Sequence, residues 1–265
     1  MIEDGNTASG SITTVRRVGD TIRRPRGPWT PTVHALLNHL ADVGFTGAPR
    51  VLGIDSEGRE VLSLLHGEPA MRPWPASLME RRGIEQLAAW LANYHDAVAN
   101  FVPPSDAVWF DPEACWRPGS IIRHGDLGPW NSIWTGGQLV GFIDWDFAEP
   151  GEAIDDLAQL AWYAVPLRDL TGPAEWAHAA KRLEWCCAAY GARPGDVLAA
   201  LLRLQHREAD RVRRLGGQGI EPWASFLARG DAEDIEAEWR MLQSDGGLLT
   251  DGGMGLHVDF NQHEG

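Results

Sequence analysis

Segments typical of strands and segments typical of helices are separated along this chain, with the strands first. The β-branched residues 12–18, a Gly-Asp turn at 19–20 and residues 21–23 together predict a hairpin. From residue 79 onward apolar residues recur at helical spacing instead, beginning with a long helix over 79–101. This order predicts an α+β fold in which a small antiparallel sheet precedes a larger, mainly helical part.

Further elements follow from turn residues and apolar runs. Prolines and a closing glycine delimit a helix within 28–44, and short apolar segments at 51–54 and 60–65 predict two more strands. A five-residue apolar run at 139–143 predicts another strand. From 154 to 243 the pattern is helical almost throughout.

The same changes of pattern predict the domain boundaries. We expect an N-terminal lobe at 1–66, where the strand pattern ends, and a C-terminal lobe at 67–243. The remaining residues, 244–265, form a glycine-rich acidic tail. No internal repeat is present.

Charge and composition exclude several partners. The formal net charge is −14, and binding a polyanion needs a basic surface, so nucleic acid is not an expected partner. No apolar run approaches the roughly 18 residues of a membrane span, and the acidic start does not resemble a signal peptide. The three cysteines include an adjacent pair and form no disulfide or metal-binding pattern, which favours the reducing cytoplasm.

The densest group of polar residues is the segment H-G-D-L-G-P-W-N at 124–131, followed by I-D-W-D at 143–146. Its glycines and proline disfavour a regular helix, so Asp126 and Asn131 must lie on a shaped loop. Asp144 ends an apolar strand, where a carboxylate is costly unless it meets a metal or a donor. Two carboxylates and an amide oxygen make a site suited to Mg²⁺, which takes few protein ligands plus phosphates.

These segments resemble the aminoglycoside phosphotransferase and choline kinase family. The pattern L-x-x-x-L-x-x-x-H at 87–95 and D-L-A at 156–158 extend the resemblance, which spans roughly residues 10–165 and is strongest over 84–165. It implies a protein-kinase-like fold whose first lobe, 1–66, binds a nucleotide. The second lobe would then supply catalysis and the substrate site.

The resemblance implies transfer of a phosphoryl group from ATP or GTP, with Mg²⁺, to a hydroxyl of a small molecule. Asp126 corresponds to the residue that accepts the hydroxyl proton, and Asn131 and Asp144 correspond to the metal ligands. His124 and Asp156 correspond to residues that brace the loop.

The resemblance also implies contacts with the nucleotide. The segment 63–66 corresponds to the hinge that meets the base through its backbone, and 5–10 is a glycine-rich loop near the phosphates. The residues that we assign to the nucleotide are Ser9, Arg23, Ser63 and Leu65.

The chain departs from the family at the phosphate clamp. Kinase-like enzymes hold the phosphates with a strand lysine paired to a helix glutamate, but the only lysine here is Lys181, far downstream. No acid lies between Asp20 and Asp42 to serve as the glutamate, and Val33 or His34 occupies that helix position. The matching strand position holds Arg23, with Arg24 as the second choice, and a permanently charged arginine would need no carboxylate partner.

Three functions remain open at this point. The first is an active phosphotransferase, favoured by the intact Asp126, Asn131 and Asp144. The second is a binding or self-immunity protein on the same fold, favoured by the missing lysine and glutamate. The third is a metal-dependent hydrolase using His124, Asp126 and Asp144, which lacks an accompanying histidine cluster.

The acceptor itself has no motif. A cationic compound, such as an aminoglycoside, is one expectation, because Glu208, Asp210, Asp231 and Glu233 lie in the helical lobe. Asp146 is interpreted as a strand cap rather than a metal contact. The last expectation concerns a run of arginines, interpreted as a solvated helix face: Arg203, Arg207, Arg211 and Arg214.

Overall fold

The computed structural model describes residues 7–9, 14–168 and 170–250. A five-stranded antiparallel sheet in the order β1-β2-β3-β5-β4 forms the first part of the fold. Its strands are β1 (Thr7–Ser9), β2 (Thr14–Val18), β3 (Thr21–Arg24), β4 (Val51–Ile54) and β5 (Glu60–Ser63).

The predicted hairpin is β2–β3, in which Arg16 pairs with Arg23 and Val18 with Thr21. Gly19, in the turn, has a φ of 57°, a conformation that costs glycine little. One helix, α1 (Thr30–Asp42), follows the hairpin and begins with a proline in its first turn. Leu36, Leu37 and Leu40 are each at most 1% exposed, so the predicted apolar stripe of α1 is part of the core.

Two smaller antiparallel sheets lie in the second part, with orders β6-β8-β9 and β10-β7. Their strands are β6 (Glu68–Pro69), β7 (Ile121–Arg123), β8 (Ser132–Thr135), β9 (Gln138–Phe142) and β10 (Glu149–Gly151). The helices of this part are α2 (Ala76–Met79), α3 (Arg81–Val98), α4 (Ala153–Ala164), α5 (Pro173–Tyr190), α6 (Pro194–Gly217), α7 (Trp223–Arg229) and α8 (Asp231–Asp245). The α+β, kinase-like architecture predicted from the sequence is confirmed.

One fully buried cation, Arg182 on α5, holds the ends of two helices. Its Nη1 donates to the Met79 carbonyl at 2.5 Å at the end of α2, and its Nη2 to the Ala164 carbonyl at 2.7 Å at the end of α4. Nε donates to the Val165 carbonyl at 2.7 Å. Burial lowers the pKa of Arg182 to about 10, which is still above neutral pH, so the side chain stays a cation although no carboxylate of the described residues pairs with it.

The arginine run on α6 is not a uniformly solvated face, and that interpretation is wrong for Arg211. The Arg211 side chain is 13% exposed, and its guanidinium lies 3.0 Å from Asp111 and 2.9 Å from Glu149. Arg207 pairs with Asp155 at 2.8 Å. These ion pairs connect α6 to β10 and to the start of α4.

Helix α8 continues past the boundary predicted at 243, and a short 3₁₀ turn follows at Gly246–Leu249. Leu249 is 2% exposed and belongs to the core. Among the described residues no helix is long and apolar enough to cross a membrane. Cys186 and Cys187 are buried, whereas Cys115 is exposed.

Candidate active site

A cleft of about 950 Å³ lies between the five-stranded sheet and the helical part. On the sheet side it is lined by Ile22, Arg24 and Leu62, and on the helical side by Trp162 and Tyr163 of α4. The lining also includes all three residues predicted to carry catalysis and metal binding, Asp126, Asn131 and Asp144.

The loop at residues 124–131, predicted to be catalytic, directly follows β7, and its second residue is a glycine that no other residue could replace without movement of the surrounding backbone. Gly125 has a φ of 78°, and a Cβ built on it would lie 2.1 Å from the Phe147 carbonyl oxygen. A side chain at this position would therefore adopt an unfavourable left-handed conformation and would also clash with the Phe147 carbonyl. The next residue, Asp126, therefore turns into the cleft.

Two side chains of α4 fix this loop. Asp156 is fully buried and accepts hydrogen bonds from the backbone N–H of His124 at 2.8 Å and of Gly125 at 3.3 Å. Gln159 accepts from the Leu127 N–H and donates to the Gly125 carbonyl, both at 2.9 Å. Hydrogen bonds, chiefly from His95, and the charge of Arg123 lower the pKa of Asp156 against its burial, so it remains a carboxylate.

His124 braces the loop as a neutral ring. Its Nδ1 accepts from the Asp126 N–H at 3.2 Å, and burial lowers its pKa to about 4. The ring packs against Trp145 with centroids 4.4 Å apart. This enclosure leaves His124 without the access to the cleft that a metal ligand would need, and no trio of histidine, cysteine or carboxylate residues able to hold a metal occurs within the described ranges.

Asp126 and Asn131 are in direct contact. The Asn131 amide Nδ2 donates to Asp126 Oδ2 at 2.7 Å and to the Asp126 carbonyl at 3.0 Å. Burial and the charge of Asp144 raise the pKa of Asp126 to about 7, against hydrogen bonds from Asn131 and Trp130. The amide of Asn131 is thereby oriented with its nitrogen on Asp126, which leaves its oxygen for another partner.

Asp144 follows β9 and is the only non-glycine residue of the described chain with a positive φ, 62°. Its side chain is 43% exposed in the cleft. The neighbouring Ile143 N–H donates to the Asn131 carbonyl at 2.9 Å, which joins the two predicted metal ligands through adjacent backbone. A strained backbone that turns an acid into a cleft is a common feature of functional sites. The donor set, one carboxylate and one amide oxygen, fits Mg²⁺, which also draws ligands from nucleotide phosphates and water.

Arg24, rather than Arg23, reaches these residues from the sheet. The Arg24 guanidinium donates from Nη1 to Asp144 at 3.0 Å, and from Nη2 to Asp146 at 2.7 Å. Arg23 points to the other face of β3, where its Nη1 lies 3.4 Å from Asp55, and it does not line the cleft. Successive side chains alternate across a strand, so only one of the pair can face the cleft. Arg24, the second choice from the sequence, is therefore the arginine that faces the cleft, and a contact of either with phosphate stays a prediction.

Although an arginine needs no carboxylate partner to stay charged, Arg24 has one on the neighbouring strand. Glu60 on β5 accepts a hydrogen bond from Arg24 Nε at 2.5 Å, and His34 on α1 contacts the other Glu60 oxygen at 2.7 Å. Glu60 is 1% exposed, and the hydrogen bond from His34 and the charge of Arg24 lower its pKa despite burial. The chain thus replaces a strand lysine and helix glutamate by an arginine, a strand glutamate and a helix histidine.

Asp146 is not a strand cap. It is 6% exposed and holds Arg24 with both oxygens, at 2.7 and 3.2 Å. Burial raises the pKa of Asp146 to about 6 against the attraction of Arg24. The role of Asp146 is to position the guanidinium, which a two-point contact does more strictly than a single one.

The predicted hinge lies along the edge of the cleft. Ser63 Oγ accepts from the Arg50 N–H at 2.8 Å, and the Leu64 N–H donates to the Asp20 carbonyl at 2.9 Å. Leu65 lines the cleft, and neither its N–H nor its carbonyl bonds to another residue of the described ranges. This is the backbone position a nucleotide base would need. The side chain of Ser9 and the connection at 10–13 fall outside the described residues, so the contact assigned to Ser9 stays a prediction.

Comparison with known proteins agrees with this geometry. Residues 84–191 match the model of the phosphotransferase enzyme family. The structure resembles the amicoumacin kinase hAmiN, with a TM-score of 0.62 and 12% identity over 95% of this chain and 91% of that one. It also resembles a choline/ethanolamine kinase family protein from Mesorhizobium loti, with a TM-score of 0.57 and 16% identity over 93% and 92% of the two chains. The chain has a kinase-like fold. The resemblance predicted from the sequence motifs is confirmed.

A relative found by sequence comparison is described as an immunity protein rather than as a kinase. The trifolitoxin immunity protein of Rhizobium leguminosarum bv. trifolii is 40% identical over 164 residues, which are 60% of this chain. The match covers 61% of that relative's length. The kinase-like fold of this chain is thus shared with enzymes of low sequence identity, whereas a relative of 40% identity is described as an immunity protein.

Sequence reasoning missed several residues that build the site. Gln159 follows Asp156 by three residues on α4, and this spacing on a predicted helix could have paired them. Glu60 could not have been found in the same way, because its pairing with Arg24 depends on the register of β3 and β5. Trp130 and Tyr163 also line the cleft, although neither was a candidate site residue in the sequence.

Proposed function

We propose that this protein transfers the γ-phosphoryl group of ATP or GTP to a hydroxyl of a small molecule. The single observation that carries the proposal is the convergence of Asp126, Asn131 and Asp144 on one cleft that Arg24 closes from the sheet. A base, two oxygen ligands for a metal and a fixed cation are the parts that phosphoryl transfer requires.

The nucleotide would lie against the N-terminal lobe, residues 1–66. Ile22 and Leu62 offer apolar surface for the base, and the free backbone groups of Leu65 offer hydrogen bonds next to Ser63. Arg24 would attract the phosphates through its permanent charge, and three carboxylates already fix its direction.

In the transfer step the acceptor hydroxyl oxygen forms a bond to the γ-phosphorus as the bond from that phosphorus to the β-bridging oxygen breaks, and the nucleoside diphosphate leaves. Asp126 takes the hydroxyl proton, held in direction by Asn131. Asp144 and the Asn131 oxygen would hold Mg²⁺, which neutralises phosphate charge when bound. The reaction draws on the nucleotide pool of the cytoplasm, where we expect the protein to work.

The test separates nucleotide binding from turnover. Calorimetry with ATP or GTP, with and without Mg²⁺, measures the first, and release of the diphosphate in the presence of hydroxyl compounds measures the second. Metal-dependent nucleotide binding together with acceptor-dependent release supports the proposal. Absence of metal-dependent binding for both nucleotides contradicts it.

A second candidate is a kinase-like binding or immunity protein without efficient catalysis. The similarity to the trifolitoxin immunity protein favours it, and so does the contact between Arg24 and Asp144, which occupies one metal ligand with a cation of the chain itself. This candidate predicts that protection or binding survives Asp126→Asn. The enzyme predicts that both activity and any protection are lost in that variant.

A further inference from the structure

The part of the cleft beyond Asp126 is bounded by helices, and we define its acceptor wall as the lining residues contributed by α4, α6, α7, α8 and the loop after α4. On the proposed function this wall meets the acceptor, since the sheet side meets the nucleotide. The wall includes Trp162, Tyr163, Arg168, Glu208, Phe226 and Asp231.

Aromatic rings dominate the wall next to the catalytic loop. Trp162 and Tyr163 stack with centroids 4.9 Å apart and planes 15° apart, and Trp130 meets Tyr163 edge-on at 5.0 Å. Burial raises the pKa of the Tyr163 phenol, and the nearby charge of Asp126 raises it further. A flat molecule lying on Tyr163 would therefore bring a hydroxyl to Asp126.

The rings are held rigidly. The Trp162 Nε1 donates to Glu238 on α8 at 2.6 Å, and the other Glu238 oxygen accepts from Arg168 Nε at 2.7 Å. The Arg168 guanidinium lies over the ring of Tyr163, 5.5 Å from its centroid. An aromatic surface fixed before binding loses little conformational entropy when a planar ligand stacks on it.

The charges of the wall do not suit a polycation. Its carboxylates are each next to an arginine of the same wall: Glu208 lies 3.4 Å from Arg211, and Asp231 lies 2.6 Å from Arg229. The three arginines of the wall are paired as well, Arg168 with Glu238, Arg211 with Glu149 and Arg229 with Asp231, so the wall offers no excess of acid to a cation. Of the other acids predicted to meet a cation, Asp210 lies near His206 and Glu233 near Arg213, and neither lines the cleft.

We propose that the acceptor is an aromatic or similarly planar hydroxyl compound, uncharged or anionic, that stacks on Tyr163. This departs from the cationic acceptor expected from the sequence, because the acids behind that expectation are compensated or lie elsewhere. The inference rests on the proposed function. Its experiment measures acceptor binding and nucleotide binding separately, so that the failure of one is distinguishable from failure of the other.

The experiment uses the full chain saturated with Mg²⁺ and a non-hydrolysable ATP analogue, after calorimetry has shown that the analogue binds. Three probes are then titrated: 4-nitrophenyl glucoside as a neutral aryl compound, 4-nitrophenyl glucuronide as its anionic match, and kanamycin as a polycation. We expect at least one aryl probe to bind at least tenfold more tightly than kanamycin. Tighter binding of kanamycin, or no binding of either aryl probe at millimolar concentration, overturns the inference and leaves the nucleotide result standing.

Variants locate the contact. Tyr163→Ala should lower the affinity for the aryl probe at least fivefold and leave the affinity for the ATP analogue unchanged. Tyr163→Phe keeps the ring, so its affinity for the aryl probe should equal that of the wild type. Trp185→Ala, which removes an aromatic side chain outside the cleft, is the matched control. Should Tyr163→Ala fail to fold, Tyr163→Leu removes the ring but keeps a large apolar side chain, with the same expected loss. Unchanged aryl binding in the folded ring-deletion variant overturns the stacking site.

Discussion

Arg24 donates a hydrogen bond to Asp144 across 120 residues of sequence, at 3.0 Å, and thereby joins the sheet to the loop that follows β9. Both residues belong to the proposed machinery, one for phosphate and one for the metal. Because each neutralises part of the other's charge, changing either should alter how the cleft receives a metal-bound nucleotide.

Replacing Arg24 should weaken nucleotide binding, whereas replacing Arg23 should not. Arg24→Ala removes a charge-assisted contact worth about 1.5–3 kcal/mol, and Arg24→Lys should lose part of the same energy because an ammonium cannot keep the fork geometry. Arg23→Ala is the matched control on the opposite face of β3. Calorimetry with Mg²⁺-nucleotide checks all three. Equal losses in the two alanine variants would contradict the assignment of Arg24.

Asp126→Asn should leave nucleotide binding nearly unchanged and reduce kcat by roughly 10²–10⁴-fold, the range for loss of a positioned base. The amide keeps the shape of the side chain, and the phosphates are held elsewhere. Steady-state kinetics on a proven acceptor, beside calorimetry, provides the measurement. Turnover that survives within about tenfold would assign the proton transfer to another group.

Asp144→Ala should abolish the metal-dependent part of nucleotide affinity, because the variant loses the one carboxylate proposed to hold Mg²⁺. Asp106→Ala, at an exposed acid that does not line the cleft, is the control. Calorimetric titrations of nucleotide with and without Mg²⁺ give the metal-dependent gain in affinity for the wild type and for each variant. A metal-dependent gain equal to that of the wild type would move the metal site away from Asp144.

Burial of the His124 ring should make the free energy of unfolding depend on pH. Its pKa, lowered by burial to about 4 from the model-peptide value of 6.5, means that below pH 6.5 the unfolded chain takes up a proton that the folded chain does not. The folded state should therefore lose stability as pH falls from 6.5 toward 4, by up to about 3 kcal/mol from this residue. In His124→Asn that contribution should vanish. Denaturant unfolding of both proteins across this range checks it, and identical pH slopes would contradict it.

Arg182→Met should destabilise the fold by about 3 kcal/mol or more, because carbonyls at the ends of α2 and α4 would lose buried donors. Lys181→Met, at the adjacent exposed position, is the control for loss of a cation on α5. Urea unfolding measures both. A variant at Arg182 as stable as its control would show that the carbonyls find other partners.

Local sequence patterns were sufficient to predict some elements of this structure but not others. The β2–β3 hairpin, helix α1 and the loop at 124–131 follow from turn glycines, prolines and apolar spacing, which are properties of neighbouring residues. The choice between Arg23 and Arg24 does not, because it depends on which face of β3 meets the helical part. The sequence offered Ile22 as a weak guide, since it shares the face of Arg24.

Pairings between distant segments were the least predictable. Glu60 lies 36 residues from Arg24, and the two meet only because β5 pairs with β3 in a particular register. Likewise Arg211 appeared to belong to a solvated face, since its partners Asp111 and Glu149 come from segments far from α6. Ion pairs of this kind require the topology to be known first.

The distribution of thiols has a practical consequence. Burial raises the pKa of both Cys186 and Cys187, the latter to about 12, so neither is a ready nucleophile, whereas Cys115 is exposed. A maleimide fluorophore should therefore attach at one position of the unmodified protein. The nearby Glu113 pairs with Arg214 of α6, the helix that contributes to the acceptor wall. A dye at Cys115 would thus report, without any engineered cysteine, on rearrangements of that helix as ligands are added.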